Sequence, residues 1–93
     1  MAPPVTSVVA LAPYVVRVHF EDGEVRDVDI EPLLEGAVFG PLRDPAAFRR
    51  VRVDEPTGAV AWPNGADLDP DVIYGCAPPS RQPAARVTTP ERV

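Results

Sequence analysis

A chain of 93 residues, 45% of them apolar, supplies one small core and no second domain. The formal charge is −5 with no lysine, and residues 1–76 carry 13 acids against 6 arginines, a net of −7, which argues against a nucleic-acid surface on that body. The single cysteine, Cys76, excludes an internal disulfide and a cysteine metal site, and no apolar run approaches the ~20 residues of a membrane span.

Val5 to Leu11 is β-branched and apolar and reads as a strand, broken at Ala12-Pro13. Tyr14 to Phe20 alternates, with Tyr14, Val16, Val18 and Phe20 on one face and Val15, Arg17 and His19 on the other. Glu24 to Ile30 is its antiparallel partner. A two-residue Asp22-Gly23 turn would set Val18 opposite Asp27 and bring charge onto the core face. A three-residue loop, Glu21-Asp22-Gly23 with Gly23 left-handed, sets Val16 opposite Val28, Tyr14 opposite Ile30 and Arg17 opposite Asp27. The second register is expected, because facing residues share a face and the apolar set must stay together.

Glu31-Pro32 opens a short helical turn bearing Leu33 and Leu34, with Gly36 placed to close it. The link from Ala37 to Leu42 is irregular but apolar, so Val38, Phe39 and Leu42 are expected to plug one edge of the core. Asp44-Pro45 starts a second short helix, packed through Phe48 and running to Arg50. Val51 to Asp54 and Ala59 to Trp62 form a hairpin around Glu55-Pro56-Thr57-Gly58. That register sets Val53 opposite Val60 and Val51 opposite Trp62.

The richest stretch is Trp62 to Tyr74. Pro63 stops the strand, and Asn64-Gly65 is a turn pair. Asp69 reads as the N-cap of a third helix, Pro70 as its first residue, and Leu68 with Ile73 as a hydrophobic staple. Asp71 adds favourable charge to the first turn. The helix is expected to end near Cys76. From Ala77 onward, four prolines and no apolar period predict a disordered tail over 77–93, with a net charge of +2. The expected fold is α+β: a small, mainly antiparallel sheet of about five short strands in two hairpins, with two or three short helices, over residues 1–76.

No catalytic constellation is legible. Asp67-Leu68-Asp69-Pro70-Asp71 begins like a calcium loop, but Val72 and Pro78 stand where glycine and glutamate are needed. His19 on a polar strand face has no triad partner nearby in sequence, and Cys76 has no fixed cation beside it. Ser7, Thr57 and Ser80 lie in no motif, and Asp27 and Asp29 share a solvated face. No metal, no cofactor and no enzyme activity are expected. Met1-Ala2-Pro3-Pro4 lacks the basic start of a secretory signal, so the expected location is the cytoplasm. The residues singled out for interaction or structural duty are Trp62, Asn64, Gly65, Asp67, Asp69 and Asp71.

Phe20-Glu21-Asp22-Gly23-Glu24, Val28-Asp29-Ile30-Glu31-Pro32-Leu33-Leu34-Glu35-Gly36, Val38-Phe39, Pro41-Leu42, Asp44-Pro45 and Trp62-Pro63-Asn64-Gly65-Ala66-Asp67-Leu68-Asp69-Pro70-Asp71 together resemble the small bacterial family named for domain of unknown function 2442. The resemblance covers about residues 5–75. It implies an α+β domain with the fold of a nitrosomonad protein's N-terminal domain, and accessory or antitoxin-like duty. Some members are fused to a helix-turn-helix, for which this sequence has no room after residue 75. The first functional reading is therefore a non-enzymatic module that binds a small partner protein. The alternative is a small-ligand-binding domain or enzyme built on the Trp62–Asp71 loop. A homodimer through an open strand edge is a third reading.

Overall fold

The computed structural model describes residues 3–55, 57–74 and 86–88. Its centre is the hairpin of β2 (Val15–Phe20) and β3 (Val25–Asp29), in the register that keeps valine against valine. Val16 faces Val28 and Arg17 faces Asp27. The Phe20 amide donates to the Glu24 carbonyl at 2.9 Å, and the Gly23 amide to the Phe20 carbonyl at 3.0 Å, with Gly23 at φ +93°. Val16, Val18, Phe20, Val28 and Ile30 all bury their side chains on one face. A buried Val or Ile contributes about 1.5–3 kcal/mol, so this face alone is a large share of a small domain's stability.

β1 (Val5–Ala12) pairs antiparallel with β2, placing Val8 opposite Val18 and Ala10 opposite Val16. Its register shifts twice, between Val5 and Ser7 and between Ala10 and Ala12. Tyr14, expected as the first core-face residue of the second strand, instead forms the β1–β2 turn with Pro13, at φ +71°. Pro13 presets the first turn position, and Tyr14 takes the positive φ that the second central position of a type II turn demands. Tyr14 still meets the expected partner, because its carbonyl accepts the Ile30 amide at 2.7 Å.

The second sheet holds β4 (Arg52–Asp54), β5 (Ala59–Ala61) and β6 (Asp67–Leu68), in that order. Val53 faces Val60 as expected, and Val60 also faces Leu68, a pairing that brings in an unanticipated strand. The Val5 amide donates to the Gly58 carbonyl at 3.1 Å, joining the start of β1 to the β4–β5 loop. Short helical elements close the open side of the core. Two are 3₁₀ turns, Glu31–Leu33 and Gly40–Arg43; two are α-helical, α1 (Pro45–Phe48) and α2 (Pro70–Tyr74). The fold is α+β, with seven strands in two antiparallel sheets among the described residues where one sheet of about five was expected.

Three finer expectations need correction, and a fourth falls outside the described residues. Val38 does not plug the core: it is 52% exposed, while Leu42 is buried and Phe39 half-buried. The Gly40–Arg43 turn points Leu42 inward and leaves Val38 on the outside of the bend. Gly36 does not reverse the chain with a positive φ, since the turns continue right-handed through the Gly40 amide bonding to the Gly36 carbonyl at 2.7 Å. α2 is described over Pro70–Tyr74, and its expected end near Cys76 lies outside the described residues. Finally, within the tail expected to be disordered, Arg86–Thr88 is a strand, β7, paired antiparallel with β3. The remainder of 77–93 lies outside the described residues.

Candidate functional site

The Trp62–Asp71 stretch is built from local backbone bonds. The Trp62 amide donates to the Ala66 carbonyl at 2.9 Å, and the Gly65 amide to the Trp62 carbonyl at 3.1 Å, with Gly65 at φ +95°. Asn64 uses both ends of its amide: Oδ1 accepts from the Ala66 N–H at 3.1 Å, and Nδ2 donates to the Val38 carbonyl at 2.9 Å. Asn64 thereby pins the Val38 bend to the loop. Asp69 accepts the Asp71 amide at 2.9 Å, and Leu68 and Ile73 are both buried, so the cap and the staple are in place.

Trp62 is buried rather than presented. Its Nε1–H donates to the Phe48 carbonyl at 2.9 Å, and its ring meets Phe39 edge-on at 6.0 Å and Phe48 at 6.1 Å. Asp67 is exposed on β6, opposite Ala61. Asp67, Asp69 and Asp71 line neither of the two hollows described below. Among the described residues, no three His, Cys, Asp or Glu side chains stand where they could hold a metal ion. Beside the loop, a hollow of about 310 Å³ is lined by Pro41, Leu42, Asp44, Ala46, Ala47, Arg50, Pro63 and Asn64. Asp44 there is occupied in capping α1 through the Ala46 amide at 3.1 Å.

A second surface was not singled out from the sequence. β1 is an edge strand of the first sheet, and its outer side chains Val9 and Leu11 are 51% and 47% exposed. Edge strands usually carry charge, which blocks pairing with other chains. Arg52 and Asp54 do this on β4 and Asp67 on β6, whereas β1 has no charged residue from end to end. The irregularity at Leu11 belongs to the bulge class that re-aims side chains at sheet edges.

Next to Leu11 runs a groove of about 140 Å³, lined by Ala10, Leu11, Pro13, Tyr14, Pro45, Phe48 and Arg49. Tyr14 in its wall is held in a left-handed conformation that costs on the order of 1–2 kcal/mol for a non-glycine residue. Three contacts hold it: the Ile30 amide on its carbonyl, its hydroxyl donating to the Arg43 carbonyl at 3.0 Å, and its ring edge-on to Phe48 at 5.9 Å. The sequence signal for this surface was the uncharged run Val5–Ala12 followed by Pro13-Tyr14, readable as an unprotected edge ending in a tight turn.

Two ion pairs form among the described residues, Arg17 with Asp27 and Arg26 with Glu24. Arg17 meets Asp27 through two bonds, 2.9 and 3.1 Å, and this hydrogen bonding raises the arginine's pKa. No helix among the described residues is long and apolar enough to cross a membrane.

Compared with known proteins, the chain matches the model of the family described as protein of unknown function DUF2442 over residues 5–79. No curated protein and no solved structure matches it significantly. The match takes in both sheets up to α2 and every candidate residue named above, and on that extent the chain belongs to the DUF2442 family.

Proposed function

We propose that this chain is a non-enzymatic protein-interaction module, and that its partner is a small protein docking along the second half of β1. The observation that carries the reading is the uncharged edge of β1 with Val9 and Leu11 facing solvent. An added strand would gain main-chain hydrogen bonds from that edge, while side-chain pockets give selectivity. The groove against Phe48, with Arg49 at its rim, supplies such a pocket for an apolar side chain followed by an acidic one. The strained Tyr14 in the groove wall also favours this reading, since strain of that kind gathers at binding sites. An antitoxin-like role, in which the docked protein is held inactive, is the specific form proposed, in the cytoplasm.

The alternative built on the Trp62–Asp71 loop draws less support. Trp62, Asn64 and Asp69 spend their polar atoms on the fold's own backbone.

The test is recovery of partners by tagged full-length chain from its native host, beside the Val9→Lys, Leu11→Glu double variant. The wild type is expected to retain a small protein that the variant loses, with identical circular dichroism. Recovery of the same proteins by both chains would defeat the proposal. So would a wild type that light scattering shows to be a dimer through this edge.

A further inference from the structure

The opposite side of the first sheet carries its own occupant. β3 has β7 beside it, with Asp27 facing Thr88, Val28 facing Val87 and Asp29 facing Arg86. Three observations separate β7 from the body it lies on. It falls beyond residue 79, where the family match ends. Among the described residues it pairs over three positions, and Val87 stays 37% exposed although it stands opposite the fully buried Val28. Its charge is opposite to that of its seat: residues 1–76 carry a net of −7, and residues 77–93 a net of +2.

We infer that the edge of β3 away from β2 is a strand-binding site for an extended, arginine-bearing segment, and that residues 86–88 occupy it in place of such a segment from another protein. The recognition chemistry is readable position by position. Val28 lies on the core face, so the facing residue must be apolar and suited to a strand, as Val87 is. Asp27 and Asp29 flank it on the other face of the sheet; Arg17 already takes the Asp27 carboxylate, and Asp29 keeps its position of the border acidic, so a basic residue is favoured opposite Asp29 and an acid is repelled there. Asp27 also offers its backbone carbonyl, which the Thr88 hydroxyl takes at 3.4 Å. A hydroxyl residue after the apolar one completes the preferred order: basic, β-branched, hydroxyl.

This mode of binding is strand addition to a sheet edge, in which main-chain bonds give affinity and alternate side chains give selectivity. A tethered strand competes with an outside segment at an effective concentration on the order of mM for a short tether, so the native chain resists weak ligands and yields to strong ones. The site is distinct from the β1 surface and shares no residue with it.

The experiment uses the full chain with Arg86→Asp and Val87→Asp, which places carboxylates against an acidic border and leaves the buried body untouched. A synthetic peptide of residues 83–90 is titrated into wild type and variant, following the backbone amides of Asp27, Val28 and Asp29 by NMR. The peptide is expected to bind the variant roughly tenfold or more tighter than the wild type. A peptide carrying the same two substitutions is expected to bind neither. Equal binding to both chains, or no binding to the variant, would overturn the inference. So would a wild-type dimer that the double substitution converts to monomer, because β7 would then belong on a second copy.

Discussion

The Tyr74 hydroxyl donates to the Asp22 carboxylate, tying the last turn of α2 to the β2–β3 loop across 52 positions of sequence. The phenol ring stands edge-on to Phe20 at 4.9 Å, and the Arg26 guanidinium lies 5.1 Å from its centre. Arg26 in turn donates to Glu24 at 2.8 Å. A five-residue helix has no stability of its own in water, so α2 depends on such contacts and on the buried Ile73.

This clamp predicts a pH signature. The Tyr74 hydrogen bond, followed by the Glu24 backbone N–H, holds the Asp22 carboxyl below the usual carboxylate range. The same bond pushes the Tyr74 phenol above its ordinary value. A depressed carboxyl stabilises the fold above its unfolded pKa and loses that contribution as pH falls through its folded value. A raised phenol stabilises below its unfolded pKa, near ~10, and loses the contribution as pH rises through its folded value. Tyr74→Phe keeps the ring contacts and removes the bond. Its Tm is expected to lie below that of the wild type at pH 7. The gap should close toward about pH 2 and again well above pH 10. Melting curves across that range that keep a constant gap would contradict the clamp.

Trp62 predicts a larger loss. Trp62→Phe removes the indole N–H from the Phe48 carbonyl, which keeps only the longer bond from the Val51 amide at 3.3 Å. It also opens a void beside Phe39 and Phe48 in a core where Trp62 is 1% exposed. The combined cost is about 2–3 kcal/mol, from the weakened buried polar group and the cavity. Urea denaturation followed by circular dichroism measures it. A loss under about 1 kcal/mol would mean that the surrounding rings close the gap.

The β2–β3 register was legible because a single loop length keeps Val16 and Val28 together and leaves Arg17 facing Asp27. The Asp44 and Asp69 caps and the Leu68–Ile73 staple were legible for the same reason: their partners lie within a few residues. Tyr14 was misplaced because strand alternation runs straight through it, and only the Pro13 turn overrides that pattern. β6 is two residues long and too short for any period to show. β7 lies among prolines and pairs with a strand far back in the chain, so local pattern could not find it. At the candidate loop, residue choice revealed a rigid turn. Which way Trp62 faced depended on Phe48, 14 positions away.

Gly58 joins the two sheets at close quarters. It has φ +69°, and a Cβ there would stand 2.7 Å from the Pro4 Cβ and 3.0 Å from the Pro4 Cα. Gly58→Ala therefore meets both backbone strain and a clash against the segment leading into β1. Left-handed strain alone costs about 1–2 kcal/mol, and the contact adds to it. Gly23→Ala shares the positive φ but finds open space, so it should cost the strain alone. Equal destabilisation of the two variants in urea would show that Pro4 moves aside freely.

Asp67 and Asp69 separate structural duty from ligand duty. Asp69→Ala removes the acceptor for the Asp71 amide and should cost about 1 kcal/mol, the usual worth of an N-cap. Asp67 is exposed on an edge strand, and Asp67→Ala should change stability by no more than about 0.5 kcal/mol. Both variants should keep the partner retained by the wild type, because neither touches Val9, Leu11 or the groove beside them. If Asp67→Ala instead abolished partner recovery at unchanged stability, the docking surface would move from β1 to the second sheet. If millimolar calcium stabilised the wild type but not Asp67→Ala, the loop would be a cation site whose ligands assemble only when the ion arrives. The hydrogen bonds already made by Asn64 and Asp69 predict no such stabilisation, since a rearranged loop would first lose the Val38 tether and the α2 cap.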